Sequence, residues 1–192
     1  DYPQCSNGLA VGLDEYTDQD FGSVSNQNGH GYYAGLGYDA NSIVSTEKTN
    51  GYGNTLAHRD LNASQSDYCK FFNASNGVVA THTAKVSTPS KSSSWYIPSY
   101  KEMSLLNDNR TTVNASLSTL GGTPIADPYM YEDSWDNNRS SDWYWTSTIK
   151  GDWYESGGTY DHFKYPFDIY KGGWTSSQQS SAKCKVRVVL AF

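Results

Sequence analysis

The sequence predicts an α+β domain, with helices packed on a largely antiparallel sheet. Three observations carry that class. The chain closes on Lys183-Cys184-Lys185-Val186-Arg187-Val188-Val189-Leu190-Ala191-Phe192, which alternates and then turns wholly apolar, as a strand buried in the middle of a sheet does. Ser99 after Pro98, with Glu102 three residues on, spells a capping box that opens a helix. The order of patterns along the chain is strand, loops, helix, a helix pair, and then a run of strands.

The elements follow in order. Gly8-Leu9-Ala10-Val11-Gly12-Leu13 reads as a short apolar strand. Residues 14–42 are rich in Gly, Asn and Asp and read as loops with a ragged hairpin, Tyr32, Tyr33, Leu36 and Tyr38 forming its strand. Asn50-Gly51-Tyr52-Gly53-Asn54 is a turn cluster. From Thr55 the spacing is helical, with Leu56, Leu61, Tyr68, Cys69 and Phe72 on one face of a helix broken near Asn62-Ala63-Ser64. Residues 74–94 read as loop, with a short strand at Val78-Val79. Pro98 disfavours helix at Ile97, and Met103, Leu105 and Leu106 form the buried face of the helix that Ser99 caps. Val113, Leu117 and Leu120 give a second helix over Thr112–Leu120, stopped by Gly121-Gly122. Residues 123–142 form an acidic, aromatic loop, long enough to suggest function. Trp143–Thr148 is a strand, and Tyr160–Tyr170 is another, with Pro166 marking an edge or a bulge. Gly172-Gly173 then turns the chain toward the final strand.

The whole chain, 1–192, reads as one domain: 1–54 an opening strand plus irregular elaboration, 55–192 the core. The hydrophobic fraction is only 36%, and 16 Tyr, 6 Trp and 6 Phe supply the missing burial. Tyr, Trp, Ser, Asn and Gly are also the residues of binding surfaces. Net charge is −6 and the basic residues are scattered, which argues against nucleic acid and anionic membranes as partners. No apolar run approaches the ~18 residues of a membrane span. The chain starts abruptly at Asp1 with no signal peptide and reads as a mature or trimmed sequence whose native N-terminus is missing. Of Cys5, Cys69 and Cys184, at least one is unpaired within the chain, and their spacing fits no zinc signature. Low Lys and high Asn, Ser and Tyr suggest export, where a disulfide persists.

Four ordered motifs stand out: Trp95-Tyr96-Ile97-Pro98-Ser99 with Glu102; Ala115 through Leu120-Gly121-Gly122-Thr123-Pro124; Tyr144-Trp145-Thr146-Ser147-Thr148; and Val186-Arg187-Val188-Val189-Leu190-Ala191-Phe192. Together they resemble a bacterial C-type-lectin-like domain. The resemblance covers roughly residues 50–192, and Gly8–Leu13 resembles the family's opening strand more weakly. Surface proteins and fimbria-associated lipoproteins of Bacteroidales carry this domain, and the variable proteins of diversity-generating retroelements share its architecture. The resemblance implies N- and C-terminal strands side by side, two flanking helices, and long loops on one side that carry the binding. It also implies a disulfide from the first helix to the last strand, where Cys69 and Cys184 stand; Cys5–Cys184 and three reduced thiols are the alternatives. The calcium-binding tripeptides of the lectins, Glu-Pro-Asn, Gln-Pro-Asp and Trp-Asn-Asp, do not occur. Asp and Asn oxygens in Trp135-Asp136-Asn137-Asn138 suit Ca²⁺, but they precede the strand and read better as a solvated turn, so no cofactor is expected.

Catalysis finds little footing in the sequence. His30, His58, His82 and His162 form no metal spacing, and no two carboxylates single themselves out as a hydrolase pair. Five Asn-x-Ser/Thr sequons, beginning at Asn62, Asn73, Asn109, Asn114 and Asn138, are chance matches in an Asn/Ser-rich chain. The candidate ligand-binding residues are Trp135, Asp136, Asn137, Asn138 and Arg139 in the acidic loop, then Asp152, Trp153, Tyr154 and Tyr160, with Trp174. Their rings stack on sugar faces, and the flanking polar groups fix hydroxyls. The same set equally serves a protein hot spot, and Trp135 and Trp153 alternatively fold inward to pin their own loops. The expected function is a non-enzymatic recognition module at the bacterial cell surface, exported or lipid-anchored, with a glycan or a surface protein as ligand. The alternatives are a pilus or surface-assembly subunit that contacts partner subunits, and a hydrolase on this fold.

Overall fold

The computed structural model describes residues 8–20, 33–64, 66, 69–125, 144–150, 155–156, 159–160, 163–168, 173–174 and 183–192. The strands are β1 (Leu9–Val11), β2 (Tyr16–Asp20), β3 (Tyr144–Lys150), β4 (Glu155–Ser156), β5 (Thr159–Tyr160), β6 (Phe163–Asp168), β7 (Gly173–Trp174), β8 (Lys183–Val186) and β9 (Val189–Ala191). The helices are α1 (33–35), α2 (Ala40–Ile43), α3 (Gly51–Ser64), α4 (Val78–Lys85), α5 (Tyr100–Asp108) and α6 (Arg110–Thr119), with a 3-10 turn at Lys70–Phe72. The class is α+β with a mixed sheet. One sheet runs in the order β2-β8-β3-β6-β7, antiparallel except where β3 meets β8 in parallel at Tyr144 and Lys185. β1 and β9 form a separate antiparallel ribbon, Leu9 opposite Ala191 and Val11 opposite Val189, so the opening and closing strands do lie side by side.

The closing run is two strands rather than one. β8 joins the large sheet and β9 joins β1, and the chain changes sheets at Arg187 and Val188. Arg187 is fully buried, and its guanidinium donates to the carbonyls of Gly12 (3.1 Å) and Thr123 (2.8 Å) and to Glu15 Oε2 (2.9 Å). Those three anchors fix the crossover. Glu15 also pairs with Lys185 (3.2 Å) and accepts a hydrogen bond from the Tyr144 hydroxyl, so one carboxylate ties β2's approach to β3 and β8.

Two apolar clusters share the sheet between them. Consecutive strand residues point to opposite faces, and Trp145 enters one cluster while Tyr144 enters the other; Leu190 and Val189 divide the same way. The first cluster takes Ala57 and Leu61 of α3, Phe71 and Phe72, Trp95, Ile97 and Val186. The second takes Met103 and Leu106 of α5, Leu117 of α6, Tyr96 and Ile125.

The capping box is present as spelled. Ser99 Oγ accepts from the Glu102 amide at 3.3 Å, and Glu102 Oε2 accepts from the Ser99 amide at 2.7 Å. Glu102 does more: it accepts from the Gly51 amide (3.2 Å) and the Tyr96 hydroxyl (3.1 Å), joining the starts of α3 and α5. Burial pushes its carboxyl above the ordinary range, and these hydrogen bonds pull the other way. Met103 and Leu106 are buried but Leu105 is exposed, because successive helical residues are turned ~100° apart. Leu120 is 67% exposed and lies just past α6 as its C-cap. Gly121 at φ 74° and the bonds from Gly122 to Leu117 (2.8 Å) and Gly121 to Ser118 (3.3 Å) complete the predicted stop as a Schellman motif.

Other expectations change. Val78-Val79 opens the helix α4 rather than forming a strand, and Tyr33 lies in a helical turn, not in a hairpin. Tyr16–Asp20, read as loop, is β2. The turn cluster at residues 50–54 is the first turn of α3, where Asn50 and Asn54 bond side chain to side chain at 2.9 Å. Pro166 sits in β6 between β3 and β7, opposite Trp145; the ladder to β3 shifts register after that pair, and β7 reaches only Phe167 and Asp168. Of the proposed α3 face, Leu61, Cys69 and Phe72 are buried and Leu56 only partly, while Tyr68 lies outside the described residues. The Cys69–Cys184 bridge is not found: both are fully buried thiols. Cys69 Sγ instead lies 3.6 Å from His58 Nδ1, and burial pushes the Cys184 thiol far up. Cys5 lies outside the described residues.

Candidate functional site

The described residues include a shallow cleft of about 380 Å³ lined by Tyr16, Gln19, Lys70, Phe71, Asn76, Gly77, Val78 and Thr81. Three segments build it: β2, the 3-10 turn, and the start of α4. Phe71 and Val78 are buried and form its apolar floor. Asn73 shapes the rim, its side-chain oxygen accepting from the amides of Ser75 (2.9 Å) and Asn76 (3.1 Å). Gly77 is required where α4 begins, since a Cβ there would meet the carbonyl oxygens of Asn73 and Phe71 at 2.5 Å. On the opposite wall, Asp18 takes φ 56° and bulges β2, while the Gln19 carbonyl accepts from Trp145 Nε1 at 2.7 Å.

Behind Tyr16 lies a buried histidine. The Tyr16 hydroxyl and His82 Nδ1 share a hydrogen bond of 3.1 Å, with Asp14 Oδ2 3.9 Å from the same nitrogen. His82 is edge-on to Trp95, and its Nε2 has no hydrogen-bond partner. Burial pushes its pKa below the ordinary histidine value and Lys85 adds to that, while Asp14 opposes it. Burial, then the Asp14 charge, raises the Tyr16 hydroxyl. The cleft therefore presents an aromatic and aliphatic floor ringed by hydroxyl, amide and ammonium groups.

The described histidines and cysteines bring one nucleophile–base juxtaposition together, Cys69 and His58, and it is enclosed. His58 Nδ1 pairs with the Tyr33 hydroxyl at 2.7 Å and Nε2 with the Ser147 carbonyl at 2.8 Å, so the ring pins α1 and α3 to β3. Among the described residues no group of three His, Cys, Asp or Glu is placed to hold a metal ion. No described helix is long and apolar enough to cross a membrane.

Trp135, Asp136, Asn137, Asn138, Arg139, Asp152, Trp153 and Tyr154 lie outside the described residues. Tyr160 ends β5, opposite Glu155 in a two-stranded hairpin, and Trp174 ends β7, opposite Phe167. Their backbones belong to two different sheets. The residues of the cleft were not picked out from the sequence. The available signal was the cluster Asn73-Ala74-Ser75-Asn76-Gly77 ahead of Val78, which is a helix start rather than open loop.

The architecture defined above is an α+β domain with paired terminal strands and helices against a mixed sheet. A fimbrial protein from Bacteroides ovatus, known from its crystal structure, shares that fold with a TM-score of 0.66 at 18% identity. The likeness covers 100% of this chain and 37% of that protein, so the chain spans little more than a third of its length. No family model and no curated protein matches the sequence.

Proposed function

We propose that this chain is a non-enzymatic recognition module of the bacterial cell surface with a C-type-lectin-like fold. It binds a glycan or a protein ligand through residues drawn from Trp135, Asp136, Asn137, Asn138, Arg139, Asp152, Trp153, Tyr154, Tyr160 and Trp174. The observation that carries this reading is the β1–β9 pairing, which is the arrangement the four sequence motifs imply. The fold-wide likeness to a fimbrial protein supports an exported, surface-associated setting. The module needs no cofactor, since stacking rings and Asx or Arg hydrogen bonds suffice to hold sugar hydroxyls or a peptide.

A glycan-array screen, run with calcium and again with chelator, tests it. The expected result is reproducible hits in both conditions that disappear in Trp135→Ala and Trp153→Ala. Hits lost with chelator alone would give calcium a role, and a blank in both conditions overturns the glycan reading in favour of a protein ligand.

A second reading, a subunit of a surface assembly, is favoured by one observation: among the described residues the outer edge of β1 is unpaired. The amides and carbonyls of Gly8 and Gly12 face β9, as the Gly8–Phe192 and Gly12–Val188 bonds require, so those of Leu9 and Val11 face outward.

A further inference from the structure

The strand edges of this fold are treated differently. β9 is closed on its outer side, where Tyr96 exchanges both backbone bonds with Val189 (2.8 and 2.9 Å) and Ser93 bonds Ala191. β2 is blunted by the bulge at Asp18, by its acidic residues, and by Gln19 Nε2 donating to the Thr17 carbonyl at 2.7 Å. These are the devices that keep sheet edges from pairing with other chains. β1 has one such device, its length of three residues, and lacks the others. Its Leu9-Ala10-Val11 carries no charge, no proline and no bulge. Among the described residues its outward amides and carbonyls at Leu9 and Val11 meet no partner, and the next bond on that side is at the Leu13 carbonyl, taken by the Thr123 amide at 2.9 Å. Exposed apolar side chains flank it: Leu13 and, beyond Gly122, Leu120 at one end, Phe192 against Gly8 at the other.

We propose that this edge is a self-association surface, on which β1 of a second copy pairs antiparallel across a two-fold axis at Ala10. The occupant follows from register. With Ala10 opposite its own copy, Leu9 of each chain opposes Val11 of the other, and both are outward-facing residues. Each such pair exchanges two backbone hydrogen bonds, so every unpaired group of both edges is satisfied, and the ribbons join as β9-β1-β1-β9. Opposed residues share a face, which sets the Leu9 and Val11 side chains of both copies on one side as a continuous apolar strip. The uncharged strand adds no like-charge repulsion to the pairing itself.

The proposal uses none of the residues proposed to bind ligand, so a failed glycan screen leaves it standing and its own failure leaves the recognition reading standing. Sedimentation and light scattering from about 1 μM to about 300 μM test it by mass action. A monomer–dimer equilibrium is expected. Val11→Pro removes an outward amide and takes no donor or acceptor from the β9 ladder, though it also gives up the packing of Val11 on the second cluster, and is expected to weaken the dimer by at least roughly tenfold, about 1.4 kcal/mol. Amide exchange on the unmodified protein supplies a readout that does not depend on a variant folding. Leu9 and Val11 are expected to gain protection as concentration rises, while Ala10 is protected throughout. A monomer over the whole range overturns the proposal, as does a dimer in which the Leu9 and Val11 amides exchange at a concentration-independent rate.

Discussion

Glu15→Gln is the sharpest probe of what holds the terminal strands in place. Arg187 is fully buried, and three of its five N–H groups are satisfied, by Gly12, Thr123 and Glu15; its Nε has no partner. The Glu15 side chain is 7% exposed and is the carboxylate that compensates both Arg187 and Lys185. Replacing it by the isosteric amide keeps one acceptor but leaves a guanidinium uncompensated in the interior. Removing one partner of a buried ion pair costs about 3–5 kcal/mol. At about 2–4 °C per kcal/mol for a domain of this size, the midpoint of thermal unfolding should fall by about 6–20 °C. Urea denaturation followed by circular dichroism gives the free energy, and calorimetry the midpoint. The double variant Glu15→Leu with Arg187→Leu should lose less than Glu15→Gln alone, because desolvation of both ions is relieved together. A loss below ~1 kcal/mol in Glu15→Gln would place the pair among solvent-screened ones and refute the account of the crossover.

Three further outcomes are expected. Gly51→Ala, ordinarily favourable in a helix, should destabilise by about 1–3 kcal/mol, because the new Cβ meets Glu102 Oε2 and comes within 2.6 Å of the Ser99 amide; a neutral or stabilising result in urea titration contradicts that packing. Because burial lowers the His82 pKa, the unfolded chain binds the proton first, so stability is full above the unfolded value of ~6.5 and is lost as pH falls below it. Melting points at pH 7.5 and about 5.5 should show that loss, with a smaller difference in His82→Gln; an identical difference in both proteins excludes His82 as its source. Alkylation in denaturant without reductant should label both Cys69 and Cys184, and recovery of a cross-linked Cys69–Cys184 peptide by mass spectrometry would restore the bridge that the buried thiols argue against.

Features written within a few residues were legible in the sequence. The Ser99–Glu102 box, the Gly121-Gly122 stop, the apolar opening strand at Leu9–Val11 and the β3 run at Tyr144 all rest on spacing of one turn or on alternation. Those rules are local because the hydrogen bonds and side-chain directions behind them are local. The same local rules misread Val78-Val79, whose β-branched pair suggests a strand. Gly77 and the Asn73 turn start a helix there, with Val78 buried beside Phe71 and Phe72. The cleft was invisible for a related reason, since its walls come from β2 and from residues 70–81, and no spacing rule links the two.

The sequence alone determined the class, the caps and which short runs are apolar enough to be strands. Tertiary structure decided where those runs go. Nothing near Arg187 announces that the last strand divides there, because the groups that anchor it are Gly12 and Glu15 at the other end of the chain and Thr123 in the middle. Glu15 and Arg187 are separated by 172 positions. A buried ion pair over that distance depends on sheet order, and sheet order is fixed only when the apolar faces on both sides of β3 have closed.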